Sequence, residues 1–471
     1  MKKRTAAFQR LCLACLLAAP LPLAAQGLTG PRITGASAAS GQFSLSWAQP
    51  PTNWQYTVQS RDSLTAGLWI NVRGTEPWPI DLLTWTDPRP PAAALRFYRV
   101  IGVPPTVRGE LQADTALTTY TKAALILLQQ FGVTPQYGVK VYKLDYATVD
   151  ALGAPILASG ALAVPEGATN ALPLMSYQHG TVLKKSDAPS ANIGFFSESV
   201  ILIAYAATGY AAVAPDYLGL GDSPGLHPYH HAQTEATAGV DMLRAARAFC
   251  ASQQLALNGQ LFLCGYSQGG HATAALQREL EAYHTNEFTV TASAPMSGAY
   301  DLSGVTANDF LSGRAMPNPY YFPYLLAAYQ AVYHLTNSLS DLLASPWNTN
   351  LPPLFDGQHD SSALNALVPA VVTNILKPAV LAAFLQDTNH PLRLALRDND
   401  LYQWTPHAPV RLYYCSGDQD VDPANSQEAN ASFLSRGANV LLVNTVPGAN
   451  HTDCSIPSLL AAKQWFDSLR H

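Results

Sequence analysis

The sequence predicts an α/β fold: a doubly wound, mostly parallel eight-stranded sheet with a helical cap, preceded by a small all-β sandwich. Three observations predict it. From about residue 137 onward, apolar stretches of strand length alternate with segments whose apolar residues recur at helical spacing, the pattern of βαβ units around a parallel sheet. Residues 28–103 instead alternate apolar and polar side chains and are cut by Pro, Gly, Asn and Asp, as short antiparallel strands are. Between residues 299 and 409 the alternation stops. Two apolar helical stretches, 320–333 and 363–385, occupy a gap far too long for a structureless loop.

At the N-terminus, Lys2, Lys3, Arg4 and Arg10 precede an apolar run over 11–17, followed by small residues and prolines up to Ala24 and Ala25. Residues 1–25 read as a secretory signal peptide cleaved near Ala25. The run is too short and too proline-broken to span a membrane. The residues before Cys15 fit a lipoprotein anchor poorly. The expected location is secreted or periplasmic, with no transmembrane segment. Cleavage removes four cations and no anion, which takes the formal net charge from −5 to −9. No basic run remains, so a nucleic-acid partner is not expected. The apolar stretch 200–213 holds Tyr205, Thr208 and Gly209 and reads as a buried helix leading into a strand.

A chain of 471 residues exceeds one ordinary core, so two domains are expected. Strands of the first, residues 28–103, are read at 43–47, 54–59, 68–72 and 95–101. Trp54, Trp69, Trp78 and Trp85 read as core or proline-stacked rings. A surface that grips a polymer is the alternative. Pro104 and Pro105 mark the boundary, and residues 105–471 form the catalytic domain. There, 137–145 and 155–164 read as an opening hairpin and 171–177 as the third strand. The insertion at about 300–405 lies between strands six and seven as a helical cap over Ser267. Its many Tyr, Phe, Leu and Ala residues suit an apolar acyl pocket.

The chemistry centres on Gly265-Tyr266-Ser267-Gln268-Gly269, which follows an apolar strand and opens a helix. A serine on so sharp a strand-to-helix turn is a nucleophile elbow. Side chains two before and two after it would strike the neighbouring strand and helix, and glycine removes them. The helix N-terminus beneath favours developing negative charge. The bare pattern is weak, and its context carries it. Such a serine needs a base and an acid, in the chain order Ser, acid, His. Residues 409–415 and 439–446 read as consecutive strands with a helix over 424–435 between them. Their C-terminal ends then open on the same sheet edge as Ser267. His451 stands after the second of these strands and is the candidate base. Asp418, Asp420 and Asp422 crowd the loop after the first.

Together these stretches resemble the α/β-hydrolase superfamily, and more narrowly its secreted lipase and esterase branch. The resemblance rests on residues 177–181, 214–223 and 265–271 and on the Asp420 and His451 loops, and covers about 105–471. It implies several roles. Gly417, Asp420 and Pro423 match the G-x-x-D-x-x-P layout of hydrolase acid loops, which favours Asp420 with Asp418 next, and reads Asp418 and Asp422 as solvated or helix-capping carboxylates. His179, Gly180 and Thr181 match the oxyanion loop after the third strand. The oxyanion hole is then the N–H groups of Gln268 and Thr181, with Gly180 permitting the turn and His179 pinning the loop. Gln268 is a departure, because many true lipases carry a small residue there. The sandwich resembles fibronectin-type-III-like modules attached to exported bacterial enzymes.

His227, His230 and His231, with Asp216 and Asp222 nearby, lack metal-ligand spacing and read as a group facing the cap or a helix start. No metal site is expected. Asp216, after the fourth strand, reads as structural through hydrogen bonds to its own loop. Of the cysteines left after cleavage, Cys264 and Cys415 lie in expected central strands, where a buried thiol is common. Cys415 with Cys454 is the first pair to test as a disulfide, since both flank the catalytic loops. The expected function is a secreted serine hydrolase that cleaves carboxylic esters through an acyl-enzyme, with no cofactor. Its partner is an ester, free or presented on a lipid or polymer surface. The rival readings are a serine peptidase of the same superfamily, for which no anchor of a peptide terminus is visible, and a non-catalytic binding protein.

Overall fold

The computed structural model describes residues 30–39, 42–48, 53–63, 67–89 and 95–471, and the chain divides into two units, Met1–Pro104 and Pro105–His471. The signal-peptide reading of residues 1–25 lies outside the described residues. In the first unit, β1 (Ile33–Ala39), β2 (Gln42–Trp47), β3 (Gln55–Arg61), β4 (Ile70–Asn71), β5 (Thr84–Thr86) and β6 (Phe97–Val103) form two antiparallel sheets, ordered β1-β2-β5 and β4-β3-β6. The period of two turns Leu45, Trp47, Tyr56, Val58, Trp85 and Val100 into one core between them. Trp78 and Trp85 are buried, and Trp78 Nε1 donates to Thr57 Oγ1 at 2.9 Å. Trp54 packs half-buried on the same core. The guanidinium groups of Arg61 and Arg99 lie over the Trp69 ring, 4.7 and 4.6 Å from its centroid.

The second unit is built on β7 (Leu111–Tyr120), β8 (Gly138–Val149), β9 (Pro155–Glu166), β10 (Leu172–Gln178), β11 (Ala211–Pro215), β12 (Leu257–Tyr266), β13 (Val290–Met296), β14 (Val410–Tyr414) and β15 (Val440–Asn444). Their order across the sheet is β15-β14-β13-β12-β10-β11-β9-β8-β7. Pairings from β11 to β15 are parallel, and those among β11, β9, β8 and β7 are antiparallel. The sheet has nine strands where eight are expected. The added one, β7, is an edge strand with mostly exposed residues, so no apolar alternation marks it.

Helices α1 (Val200–Ala206), α2 (Ala232–Ser252) and α3 (Gln268–Tyr283) precede the insertion, and α10 (Ala424–Ser435) and α11 (His451–Leu469) follow it. Both faces of the sheet are covered. Met175, Tyr177, Phe262 and Cys264 meet Leu202, Ile203, Trp465 and Phe466 of α1 and α11 on one side. Their alternating neighbours Leu172, Leu174, Leu261 and Leu263 meet Leu243, Phe249, Leu276 and Leu280 of α2 and α3 on the other. This is an α/β-hydrolase sheet.

Between β13 and β14 lie α4 (Ala307–Leu311), α5 (Tyr321–Tyr333), α6 (Trp347–Asn350), α7 (Ser361–Asn365), α8 (Pro378–Gln386) and α9 (Pro391–Asp398). The insertion is a helical cap. Its apolar stretch over 363–385 is not one helix, because Pro369 and Pro378 each remove a backbone donor and start the chain afresh. The cap is tied to the sheet unit by Tyr324, whose hydroxyl donates to the Val182 carbonyl at 3.1 Å, and by Tyr329, which does the same to His230 at 3.1 Å. No helix of the described residues is long and apolar enough to cross a membrane.

Candidate active site

Ser267 stands between the end of β12 and the first residue of α3, at φ 61° and ψ −122°. A non-glycine residue in that region is strained by about 1–3 kcal/mol, and the surroundings must hold it there. The turn is held by contact on all sides. A Cβ on Gly269 would lie 1.9 Å from the Gln178 carbonyl oxygen, so β10 and α3 touch backbone to backbone at this point. The Ser267 N–H donates to the Met296 carbonyl of β13 at 3.0 Å.

His451 opens α11. Its Nε2 lies 2.8 Å from Ser267 Oγ and its Nδ1 lies 2.6 Å from Asp418 Oδ2. The Tyr266 hydroxyl donates to the His451 carbonyl at 2.6 Å and fixes the ring's backbone. Asp418 is buried, and its Oδ1 accepts the N–H groups of Asp420 and Val421, both at 3.0 Å. A carboxylate so held accepts a hydrogen bond from Nδ1–H, keeps the ring proton on that nitrogen and leaves the Nε2 lone pair facing the serine hydroxyl. The serine, the imidazole and the carboxylate form one line able to carry a proton off Oγ.

Asp420, favoured by the loop layout, is not in this line. Its Oδ1 accepts from Asn318 Nδ2 of the cap insertion at 3.0 Å. The reason is where the two loops touch. A Cβ on Gly417 would lie 2.3 Å from the Gly448 carbonyl oxygen, so the acid loop meets the histidine loop at 417, and the next side chain faces His451. Asp422 Oδ1 accepts the Ala424 N–H at 2.8 Å where α10 begins. Cys415 and Cys454 are joined in a disulfide. Cys250 and Cys264 are buried free thiols, with burial pushing their pKa up to about 11 and about 12.

On the other side of Ser267, the ring nitrogens of His179 lie 2.7 Å from the Gly180 carbonyl and 3.2 Å from the Asp216 carbonyl, and the ring packs on Tyr217. With both nitrogens so engaged, His179 braces its loop. Thr181 Oγ1 lies 3.0 Å from the Tyr229 hydroxyl, and Tyr229 stacks on Tyr324 of the cap. The backbone N–H groups of Thr181 and Gln268 have no acceptor among the described residues. Asp216 is buried and accepts from Ser159 Oγ at 2.6 Å and Ser190 N at 2.8 Å. These partners lie on other segments rather than in its own loop.

One trio of side chains among the described residues brings ligating atoms within 4.8 Å of one another: His230, Glu235 and His271. Glu235 and His271 already satisfy each other at 2.7 Å. Burial lowers the pKa of His227 to about 4, His230 to about 3 and His231 to about 4, so these rings are neutral inside the protein.

The family described as secretory lipase matches residues 185–299. Among solved structures, the rice cell wall degrading esterase LipA from Xanthomonas oryzae is 32% identical, with 78% of this chain and 100% of that chain covered and a TM-score of 0.70. The chain belongs to the lipase and esterase branch of the α/β-hydrolases. A protein of known structure from Legionella pneumophila is 28% identical over 76% of this chain and 98% of its own, with a TM-score of 0.70. Candida antarctica lipase A in its closed state shares the fold, at 17% identity, 78% and 84% coverage and a TM-score of 0.59. No curated protein matches the chain. Within this branch of α/β-hydrolases, the elbow and His451 carry sequence signals. Glu235 carries none. It is one acid of a long helix, and only the packing of α2 on α3 brings it to Gln268 and His271.

Proposed function

We propose that the protein is a secreted serine hydrolase that cleaves carboxylic esters through an acyl-enzyme. The observation that carries this reading is the single imidazole of His451 bonded to Ser267 Oγ at 2.8 Å and to Asp418 at 2.6 Å. Ser267 Oγ attacks the acyl carbon while His451 Nε2 takes its proton. Asp418 holds the tautomer and stabilises the imidazolium. The oxyanion is received by the N–H groups of Gln268 and Thr181, which have no acceptor among the described residues. His451 then protonates the leaving alcohol, and a water activated by the same ring releases the acid. The first 25 residues support export. The N-terminal sandwich is read as an accessory, fibronectin-type-III-like module. From LipA, a cell wall degrading esterase, only ester hydrolysis is carried over.

A p-nitrophenyl ester series from acetyl to palmitoyl, run with the wild-type protein and Ser267→Ala, tests the reading. Hydrolysis is expected for the wild type and a loss of several orders of magnitude for the variant. An organophosphonate is expected to label Ser267. Undiminished turnover by Ser267→Ala, or labelling elsewhere, overturns it.

A further inference from the structure

The fold uses only the backbone of Gln268 at the elbow, so its long, fully buried side chain needs its own account. Gln268 Nε2 lies 2.7 Å from His227 Nε2 and 2.9 Å from Glu235 Oε1. His227 Nδ1 faces the Leu218 carbonyl at 2.8 Å, so that nitrogen carries the ring proton and Nε2 is the acceptor. Both amide hydrogens of Gln268 are thereby placed. The reversed amide would aim its oxygen at the Glu235 carboxylate. Glu235 is held in turn, with Oε2 2.7 Å from His271 Nδ1. His271 Nε2 lies 3.0 Å from the Asn399 carbonyl. Both His271 nitrogens are thus engaged, and the ring ties Glu235 to Asn399. Burial alone would raise the pKa of Glu235, but the His271 charge and hydrogen bond outweigh it and hold the group at about 2.

One hydrogen-bonded line thus runs from Leu218 through His227, Gln268, Glu235 and His271 to Asn399. Asn399 also accepts the Ala232 N–H at 2.8 Å and donates to Tyr333 of the cap at 2.8 Å. A buried ion pair is rarely a net source of stability, since apolar groups of similar volume do as well or better. What this line supplies is orientation, and its centre is the residue whose N–H faces the reaction.

We propose that Glu235 is a positioning residue for ester hydrolysis: by gripping the Gln268 side chain, it holds the Gln268 backbone N–H on the oxyanion. This rests on the reading of Ser267 as nucleophile and Gln268 N–H as oxyanion donor. A displacement of about 1 Å in such a group costs up to about a hundredfold in rate.

The test measures kcat, KM and the inhibition constant of an alkyl trifluoromethyl ketone, which forms an oxyanion on Ser267. Glu235→Ala is expected to lower kcat about 10–100-fold with KM within about threefold, and to weaken the ketone by the factor lost in kcat/KM. Glu235→Gln can accept from Gln268 and donate to His271 Nδ1, and is expected to recover activity to within about threefold of wild type. If Glu235→Ala does not fold, Gln268→Met serves: it keeps the backbone N–H and the length of the side chain but removes both grips, and the same pattern is expected. The double variant should lose no more than the worse single one. The proposal is overturned if folded Glu235→Ala or Gln268→Met keeps wild-type kcat, if its loss is in KM alone, if the ketone binds it unchanged, or if the two losses multiply. Wild-type kcat in Glu235→Ala beside an inactive Ser267→Ala overturns the positioning role alone. An active Ser267→Ala overturns the reading beneath it.

Discussion

His451 Nδ1 lies 2.6 Å from Asp418 Oδ2, while Asp420, two residues along the same loop, is bonded to Asn318. The two carboxylates therefore predict different kinetics. Asp418→Asn is expected to lower kcat by about 10³–10⁴ through the wrong histidine tautomer. Asp420→Asn and Asp422→Asn should each cost less than about tenfold. Initial rates on a soluble p-nitrophenyl ester separate them. A crippled Asp420→Asn beside an active Asp418→Asn would reverse the assignment.

The Cys415–Cys454 disulfide brackets this dyad. Cys415 stands three residues before Asp418, and Cys454 three residues after His451. Replacing both cysteines by serine is expected to lower stability by about 2–4 kcal/mol. It should also lower kcat several-fold more than it changes KM, because the two loops lose their common anchor. Urea titration and steady-state kinetics check the two effects. Unchanged kcat in a folded double variant would leave the disulfide a role in stability alone.

Gly269→Ala tests the elbow's backbone contact. The added Cβ would sit 1.9 Å from a carbonyl oxygen, and no flexible side chain can yield there. The expected cost is about 1–3 kcal/mol or more, together with loss of activity. Gly194→Ala is the control. A Cβ there meets nothing within 4 Å, and a change within about 0.5 kcal/mol is expected. Equal melting temperatures for the two variants would contradict the geometry.

Three buried neutral histidines predict acid sensitivity. His227, His230 and His231 have folded-state pKa values of about 4, 3 and 4, below the ordinary 6.5. As pH falls the unfolded chain takes up protons first. Their contribution to stability is full above 6.5 and is lost as pH falls through about 4. Asp398 and Asp400 oppose this. Burial raises both to about 6, so their contribution is present below the ordinary 3.8 and lost as pH rises through 6. The three rings lie further from their ordinary value than the two carboxyls, so the melting temperature is expected to fall between pH 6.5 and 4. His231→Gln should make that fall shallower. A wild-type slope in this variant would remove His231 from the account.

A chain beginning near Thr106 is expected to fold and to hydrolyse short soluble esters at close to the full-length rate. Every residue proposed for the chemistry lies at His179 or beyond, within the unit Pro105–His471. Circular dichroism and activity on p-nitrophenyl acetate check it. A folded but inactive shortened chain would give the sandwich a part in the site.

Local patterns determined much of this protein in the sequence itself. Glycines at 265 and 269 around Ser267, between a strand and a helix, specify a tight turn whatever surrounds it. The apolar runs ending before Asp418 and His451 specify two parallel strands that open on one edge, because a βαβ unit has only one practical way to close. Alternation in residues 28–103 specified a sandwich, for the same reason that the exposed edge strand β7 could not be seen: a strand without a buried face has no apolar period. What remained open depended on contacts between segments far apart in the chain. Three aspartates at every second position offer equal chemistry, and the approach of Gly417 to Gly448 chose Asp418 among them. Glu235 lies 33 residues from Gln268, and their bond exists because α2 packs on α3. Periodicity reports which face of an element is buried. It does not report which residue of another element waits there, and that decides which carboxylate meets the imidazole and which meets the Gln268 side chain.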